Sequence, residues 1–235
     1  MKRPHLVIDV ITLFPKLLEA PLNESMARQA KLRGAVQIRI WNLRDYALDK
    51  RRTCDDKPFG GGAGMVMMIQ PIDDCLKDIG KKGWRVMVSP RGQKFSYEIA
   101  KRLAEKKHLI FMCGHYEGID ERVHEHLIDE EISIGDFVTT GGEFPALCMI
   151  DSIMRLVPGV LGNEASLDAE SFTHGMLDYP HYTRPREFKG RQVPAVLLSG
   201  HHDAIQKWRE TKSHELTKKL RPDLLKKKIG GNQYE

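Results

Sequence analysis

The sequence predicts an α/β domain with a largely parallel sheet over residues 1–160, followed by a smaller helical domain over residues 178–235. Runs rich in Val, Ile and Leu alternate with segments of helical period, the pattern of strands joined by crossover helices. Several of these runs stop at glycine-bearing segments, where chains turn. After Pro158 comes a polar stretch without clear period, 159–176, longer than a compact domain usually tolerates without structure. Residues 161–177 are therefore expected to form a flexible linker. Beyond it the apolar runs shorten and lysine accumulates.

In order, His5–Phe14 (HLVIDVITLF) reads as a buried strand, and Pro15–Leu32 as helix, with a break expected near Pro21 and an end at Gly34. Ala35–Leu43 alternates like a second strand. Asp49–Gly64 is polar and then glycine-rich, which predicts a long loop. Pro71–Ile79 reads as a short helix. Trp84–Val88 reads as a strand ending in Ser89-Pro90-Arg91-Gly92. Phe95–Lys107 is an amphipathic helix and His108–Cys113 a buried strand ending at Gly114. Ile119–Leu127 reads as helix and Glu131–Ile134 as strand. Glu143–Val157 reads as a long helix whose Ala146, Met149, Ile150, Ile153 and Val157 form a core-facing stripe. In the second domain Pro194–Ser199 is a short apolar run, while His202–Leu220 and Pro222–Lys228 read as basic helices.

The stretch Ile132–Pro145 (ISIGDFVTTGGEFP) is the most informative. Two glycine-marked breaks flank a short extended run, Phe137–Thr139, leaving little side chain to keep a flat ligand from the backbone. A tight hairpin before a core helix is the competing reading. Ser89–Gly92, Gly114–Gly118 and Gly135–Gly142 all fall at strand ends, where ligands sit in parallel sheets, and that coincidence favours a binding site.

Composition excludes several classes. With 41% hydrophobic and 29% charged residues the chain is ordinary for a globular protein, and no run approaches the roughly eighteen apolar residues of a membrane span. The basic N-terminus with its apolar run is interrupted by Asp9 and reads as a strand, not a signal peptide. Cys54, Cys75, Cys113 and Cys148 lack paired spacing, which suits reduced cytoplasmic thiols and argues against zinc. His124-x-His126 and His201-His202-Asp203 read as surface polar groups, so no metal site is expected. Residues 201–235 hold nine Lys/Arg against five Asp/Glu within a net charge of +5, so the cationic end suggests a polyanionic partner, with a solvated helix face as the alternative.

The loop Gly60–Gly64 lacks the Gly-Lys-Ser/Thr ending of nucleotide phosphate loops, and neither G-x-S-x-G nor a dinucleotide G-x-G-x-x-G is present. What remains is a pocket largely without charge beside isolated ionisable groups: Glu117, Asp120, Glu121 and Arg122, then Arg155, Asp168 and Glu170. Backbone-rich pockets of this kind suit an adenosine-type cofactor better than a phosphate-rich one.

DKPFGGGAGM, SPRG, CGHYEGIDERV, ISIGDFVTTGGE, RLVPGVLG, LDYPHYTRP and VLLSGHHDAIQKWR occur in one order between residues 56 and 209, within a resemblance that covers residues 5–230. Together they resemble the bacterial tRNA (guanine-N1)-methyltransferases that modify guanosine 37, just 3′ of the anticodon. The resemblance implies a deep trefoil knot in the α/β domain and S-adenosylmethionine as methyl donor. It also implies a homodimer with sites at the subunit interface and the tRNA anticodon stem-loop as partner; no membrane is involved. Nothing in the sequence indicates a need for Mg²⁺.

The resemblance also implies residue roles. The cofactor would be held by Met87, Val88, Ser89 and Pro90, by Gly114, Tyr116, Glu117 and Gly118, by Ser133 and Ile134, and by Gly135, Asp136, Phe137, Val138, Thr139, Gly141, Gly142 and Pro145. Phe59, Gly60, Glu117 and Asp168 would meet the substrate, Glu117 reading the guanine edge; a helix N-terminal acid is its alternative reading. Methylating N1 needs its proton removed and the charge developing towards O6 stabilised. Arg155 would hold O6, a helix pair with Asp151 being the alternative. Glu170, standing where the family usually has Asp, would be the base, with Asp168 as its rival. His115 replaces a usual Arg, and Ala63 a usual Pro. A non-catalytic RNA-binding relative, or a knotted methyltransferase acting elsewhere on RNA, are the alternative functions.

Overall fold

Strand β1 (Leu6–Thr12) is buried along almost its whole length because parallel partners flank it on both edges, β2 (Val36–Asn42) and β6 (His108–Cys113). With β5 (Trp84–Lys94) and β8 (Glu130–Ser133) they form one five-stranded sheet in the order β2-β1-β6-β5-β8, every pair parallel. Continuous apolar strands are what a sheet covered on both faces demands. The computed structural model describes residues 4–162 and 170–227, and the chain divides into two compact units, residues 1–162 and 163–235.

Alternate residues feed two cores. Leu6, Ile8, Val10, Leu109, Phe111 and Val86 face helices α1 (Lys16–Leu22), α2 (Ser25–Leu32), α4 (Tyr97–Ala104) and α6 (Glu143–Arg155). Ile11, Ile110, Met112 and Met87 face α3 (Ile69–Ile79) and α5 (Glu121–His126). The expected stripe is buried at every position, Ala146, Met149, Ile150 and Ile153 on α6 and Val157 two residues past its end, the helix stopping at Arg155 and not at Val157. Asp9, the charge inside β1, is fully buried; Arg39 donates two bonds to it at 2.6 Å, Trp41 donates at 2.7 Å and the His108 ring lies at 2.5 Å. Such pairing is what makes a buried carboxylate tolerable.

Several elements differ from the sequence expectation. Pro21 lies inside α1, and the break falls at Asn23–Glu24. Strand β5 continues to Lys94: Val88 and Gln93 both pair with Ile132, so Ser89–Gly92 bows out of the ladder as a four-residue bulge. Gly92 permits this, since a Cβ there would lie 2.4 Å from the Glu131 backbone. The long loop contains β3 (Asp55–Asp56), which pairs antiparallel with β4 (Val66–Met67). Strand β4 in turn pairs parallel with β7 (Gly118–Ile119). That pairing shortens the expected helix at 119, and Asp120 caps α5 by accepting the Arg122 N–H at 3.0 Å. Phe137–Thr139 is bent, not a strand.

In the second unit a small exposed hairpin joins β9 (Glu187–Phe188) to β10 (Arg191–Gln192). Its turn residues Lys189 and Gly190 both have positive φ, the requirement of a two-residue hairpin. Residues 195–198 form one 3-10 turn, before α7 (His202–Leu220) and α8 (Pro222–Lys227). Lys228, the expected end of the last helix, lies outside the described residues. Thr217, fully buried on α7, accepts the Leu177 N–H at 2.9 Å, and the Ser213 hydroxyl donates to the Leu177 carbonyl at 2.5 Å. Among the described residues no helix is long and apolar enough to cross a membrane.

Candidate functional site

The ends of β5, β6 and β8 enclose a cavity of about 440 Å³, within the ~300–1,000 Å³ typical of small-molecule sites. Met87–Arg91 come from β5 and its bulge, and Gly114–Ile119 from the chain after β6. Ser133, Ile134, Phe137–Gly142 and Pro145 come from β8 and its connection to α6, while Glu121 and His124 come from α5. The three glycine-bearing segments singled out in the sequence are thus brought together. Every residue expected to hold the cofactor lines this cavity except Gly135 and Asp136. The Ser133 hydroxyl donates to the Gly135 carbonyl at 2.9 Å, shaping the turn, and Asp136 is exposed and paired with Lys94.

One wall depends on close backbone contact. The Gly142 N–H donates to the Gly114 carbonyl at 2.8 Å, and His115 bridges to Gly141. A Cβ on Gly142 would lie 2.8 Å from Cys113 Cα and 2.9 Å from the Gly114 nitrogen, so the two segments meet with no room for a side chain. Behind this wall Glu143 is 2% exposed and accepts the Thr12 hydroxyl at 2.7 Å. Burial, reinforced by the Glu143 charge, pushes the Cys113 thiol well above its usual range. The His115 ring sits between Phe14 and Tyr116, with centroids 4.7 and 4.9 Å away, and its Nδ1 is buried without a hydrogen bond.

A charged corner completes the cavity. Arg91 donates to Glu121 at 2.7 and 3.1 Å and lies 3.3 Å from Glu131 Oε1. The His124 ring contacts the same Glu131 oxygen at 2.9 Å. The Arg91 guanidinium holds the Glu121 carboxyl below its usual range. The sequence predicts a surface role for His124 and His126 alike. His126 is exposed, but the His124 side chain is largely buried, because α5 turns its fourth residue towards Glu131 of β8. Arg91, His115, Ile119, Glu121, His124 and Thr140 line the cavity although no cofactor role was expected of them. Arg91, His115 and Glu121 stand inside quoted motifs; for His124 the only signal was helical spacing.

The residues expected to meet the substrate or to carry the reaction are not all gathered at this cavity. Glu117 lines the cavity beneath the glycine loop, where a Cβ on Gly64 would come 2.3 Å from its Cγ. Its N–H donates to the Met65 carbonyl at 3.1 Å. Phe59 and Gly60 are exposed in the same loop and outside the lining. Arg155, half-buried in the last turn of α6, is ten residues past Pro145, about 15 Å along the helix axis at ~1.5 Å per residue. It does not line the cavity. Glu170 belongs to the second unit and lines a separate cavity of about 440 Å³ with residues that include His174, Tyr179, Arg209 and Ser213, where the Arg209 guanidinium lies 4.8 Å from the Tyr179 ring centre. Asp168 lies outside the described residues. No cluster of three or more metal-binding side chains occurs among the described residues.

Comparison with known proteins bears directly on this arrangement. The family model described as tRNA (Guanine-1)-methyltransferase TrmD matches residues 6–227. A tRNA (guanine-N(1)-)-methyltransferase of Clostridium novyi is 55% identical over 221 residues, 93% of this chain and 91% of the relative. Its namesake in Clostridium beijerinckii is 54% identical over 222 residues, 94% of this chain and 92% of the relative. That of Bacillus subtilis is 50% identical over 223 residues, 93% and 92% of the two chains. Identity at this level over almost the full length means that the chain belongs to the tRNA (guanine-1)-methyltransferase TrmD family.

Proposed function

We propose that this protein transfers a methyl group from S-adenosylmethionine to N1 of guanosine 37 in tRNA. The observation that carries this reading is the convergence of three strand ends on one cavity whose walls are backbone and apolar groups, with Glu117 under the glycine loop and one charged cluster at Arg91. An adenosine suits the backbone-lined wall, where Gly142 and Gly114 meet too closely for side chains. The bound cofactor supplies the electrophilic methyl group.

The protein's own groups supply the rest. Glu117, between the glycine loop and the cavity, accepts hydrogen bonds from the guanine edge. A carboxylate on the segment after residue 162 takes the N1 proton, Glu170 being preferred to Asp168. Arg155 holds the charge developing on O6. Its distance along α6 from Pro145 favours a site completed by a second copy of the chain. Val138, Phe137 and Phe144, exposed by 83, 58 and 57%, supply apolar surface for that copy to cover. The close passage of Gly141–Gly142 across the end of β6 is the feature that supports a trefoil knot. The helices α7 and α8, with Lys207, Lys212, Lys218, Lys219 and Lys226, serve as the anticodon-stem grip of a basic domain over residues 178–235, joined by a linker at 161–177. Phe59 and Gly60 approach the RNA from the glycine loop, and the target base leaves its stack to reach the donor.

The test uses labelled S-adenosylmethionine and unmodified tRNA transcripts carrying G37 or A37. Label is expected in the G37 transcript alone. Label in both would remove position 37, and binding of cofactor and tRNA without transfer would indicate a non-catalytic relative.

A further inference from the structure

We infer that the Arg91–Glu121 pair, seated on Glu131 and His124, takes the charged amino-acid end of the methyl donor, an assignment that rests on the cofactor reading above. Five acidic or basic lining side chains, Arg91, His115, Glu117, Glu121 and His124, lie within the cavity. His115 is enclosed between two aromatic rings and Glu117 lies under the glycine loop. The other three are joined through Glu131 into one cluster. The remaining lining is largely glycine, small polar and apolar groups, which suit the nucleoside but give an ammonium and a carboxylate no charged partners.

The cluster is built in two tiers. Glu131 and His124, with side chains 19 and 9% exposed, form the inner one. Glu131 places one oxygen between His124 and Arg91, while its other oxygen is buried without a hydrogen bond. The bulge fixes Arg91 over this carboxylate: Gly92 lies against the Glu131 backbone, and the Arg91 N–H donates to the Ser89 hydroxyl at 3.2 Å. Arg91 and Glu121 form the outer tier, 53 and 59% exposed.

An ion pair so exposed contributes little by itself and opens readily. A zwitterion entering between the two exchanges one ion pair for two: Glu121 accepts from its ammonium group, and Arg91 donates to its carboxylate. Arg91 has five N–H donors, and its contacts with Glu121 and Glu131 leave donors for that carboxylate. The corner therefore distinguishes ligands that share the adenosine and sulfur but differ in the amino-acid tail.

The experiment is calorimetric titration of the full chain with S-adenosylhomocysteine, which has the tail, and with 5′-methylthioadenosine, which lacks it. Arg91→Ala is expected to weaken S-adenosylhomocysteine by about tenfold or more while leaving methylthioadenosine within about twofold. Glu121→Gln should act in the same direction. Both side chains are more than half exposed, so the variants should fold, which circular dichroism verifies. Equal losses for both ligands would make the cluster a structural support only and overturn the inference, as would unchanged S-adenosylhomocysteine affinity. If the unaltered chain binds neither ligand, the adenosine reading of the cavity fails and the inference falls with it.

Discussion

Thr12 and Glu143 are 131 positions apart in the chain, yet the threonine hydroxyl donates to the glutamate carboxylate at 2.7 Å in an interior that leaves neither more than 2% exposed. The bond fastens the first turn of α6 to the end of β1, immediately behind the cavity wall. The same hydroxyl oxygen accepts the Phe14 N–H at 2.8 Å. Thr12→Val keeps the shape and removes both partners. It should lower stability by about 1–3 kcal/mol, because a buried carboxylate oxygen loses its donor. Urea unfolding measures this; an unchanged midpoint would show that the carboxylate finds another donor.

Gly142→Ala should act through space rather than through backbone conformation. The φ of Gly142 is −79°, ordinary for any residue, but the new Cβ would meet the Cys113 and Gly114 backbone at 2.8 and 2.9 Å. Backbone on a central strand cannot step aside, so the two segments must part. The expected result is a loss of about 1–3 kcal/mol in stability with a marked fall in cofactor affinity. Stability and affinity both unchanged would show that the wall yields.

Arg155→Ala should reduce turnover by about a hundredfold or more, the scale of removing a charge-stabilising donor. Its S-adenosylhomocysteine affinity should be unchanged, since Arg155 lies outside the cavity lining. Glu170→Gln should reduce turnover similarly. Single-turnover methylation of a tRNA transcript distinguishes the bases: if Asp168→Asn is the damaging change and Glu170→Gln is not, the proton goes to Asp168.

Acid should weaken the Asp120–Arg122 ion pair at the start of α5. The bond and charge of Arg122 hold the Asp120 carboxyl below its usual 3.8. A folded-state value lower than the unfolded one means that the ionised form favours folding. Its stabilisation is complete above the unfolded value and is lost as pH falls through the folded one, below about pH 4. Asp120→Asn, which still caps the helix, should therefore flatten the acid limb of a melting-temperature profile. An identical limb would show that Asp120 contributes nothing to it.

How much was legible in the sequence depended on how many residues each feature uses to declare itself. The five parallel strands and the stripe on α6 repeat their pattern over many positions. The segments that line the cavity were legible because glycine marks close backbone approach, as at Gly142 against Cys113. Strands β3, β4 and β7 have two residues each, too few to show a period, so the glycine loop looked unsupported. The bulge at Ser89–Gly92 depends on the Glu131 backbone, which is distant in sequence. His124 depends on a rotation of α5 that one histidine cannot reveal.

The hooks from Thr217 and Ser213 to Leu177 have an evolutionary side. They tie the segment that carries Glu170 to the helix whose lysines are assigned the RNA, so a drift that tilts α7 is transmitted to Leu177 and the turns before it. Under the proposed roles, grip on the nucleic acid and aim of the proton acceptor then become linked traits. A lineage that retunes one for a new set of tRNAs inherits a change in the other, and recovery calls for compensating substitutions along 170–177 rather than at the cofactor.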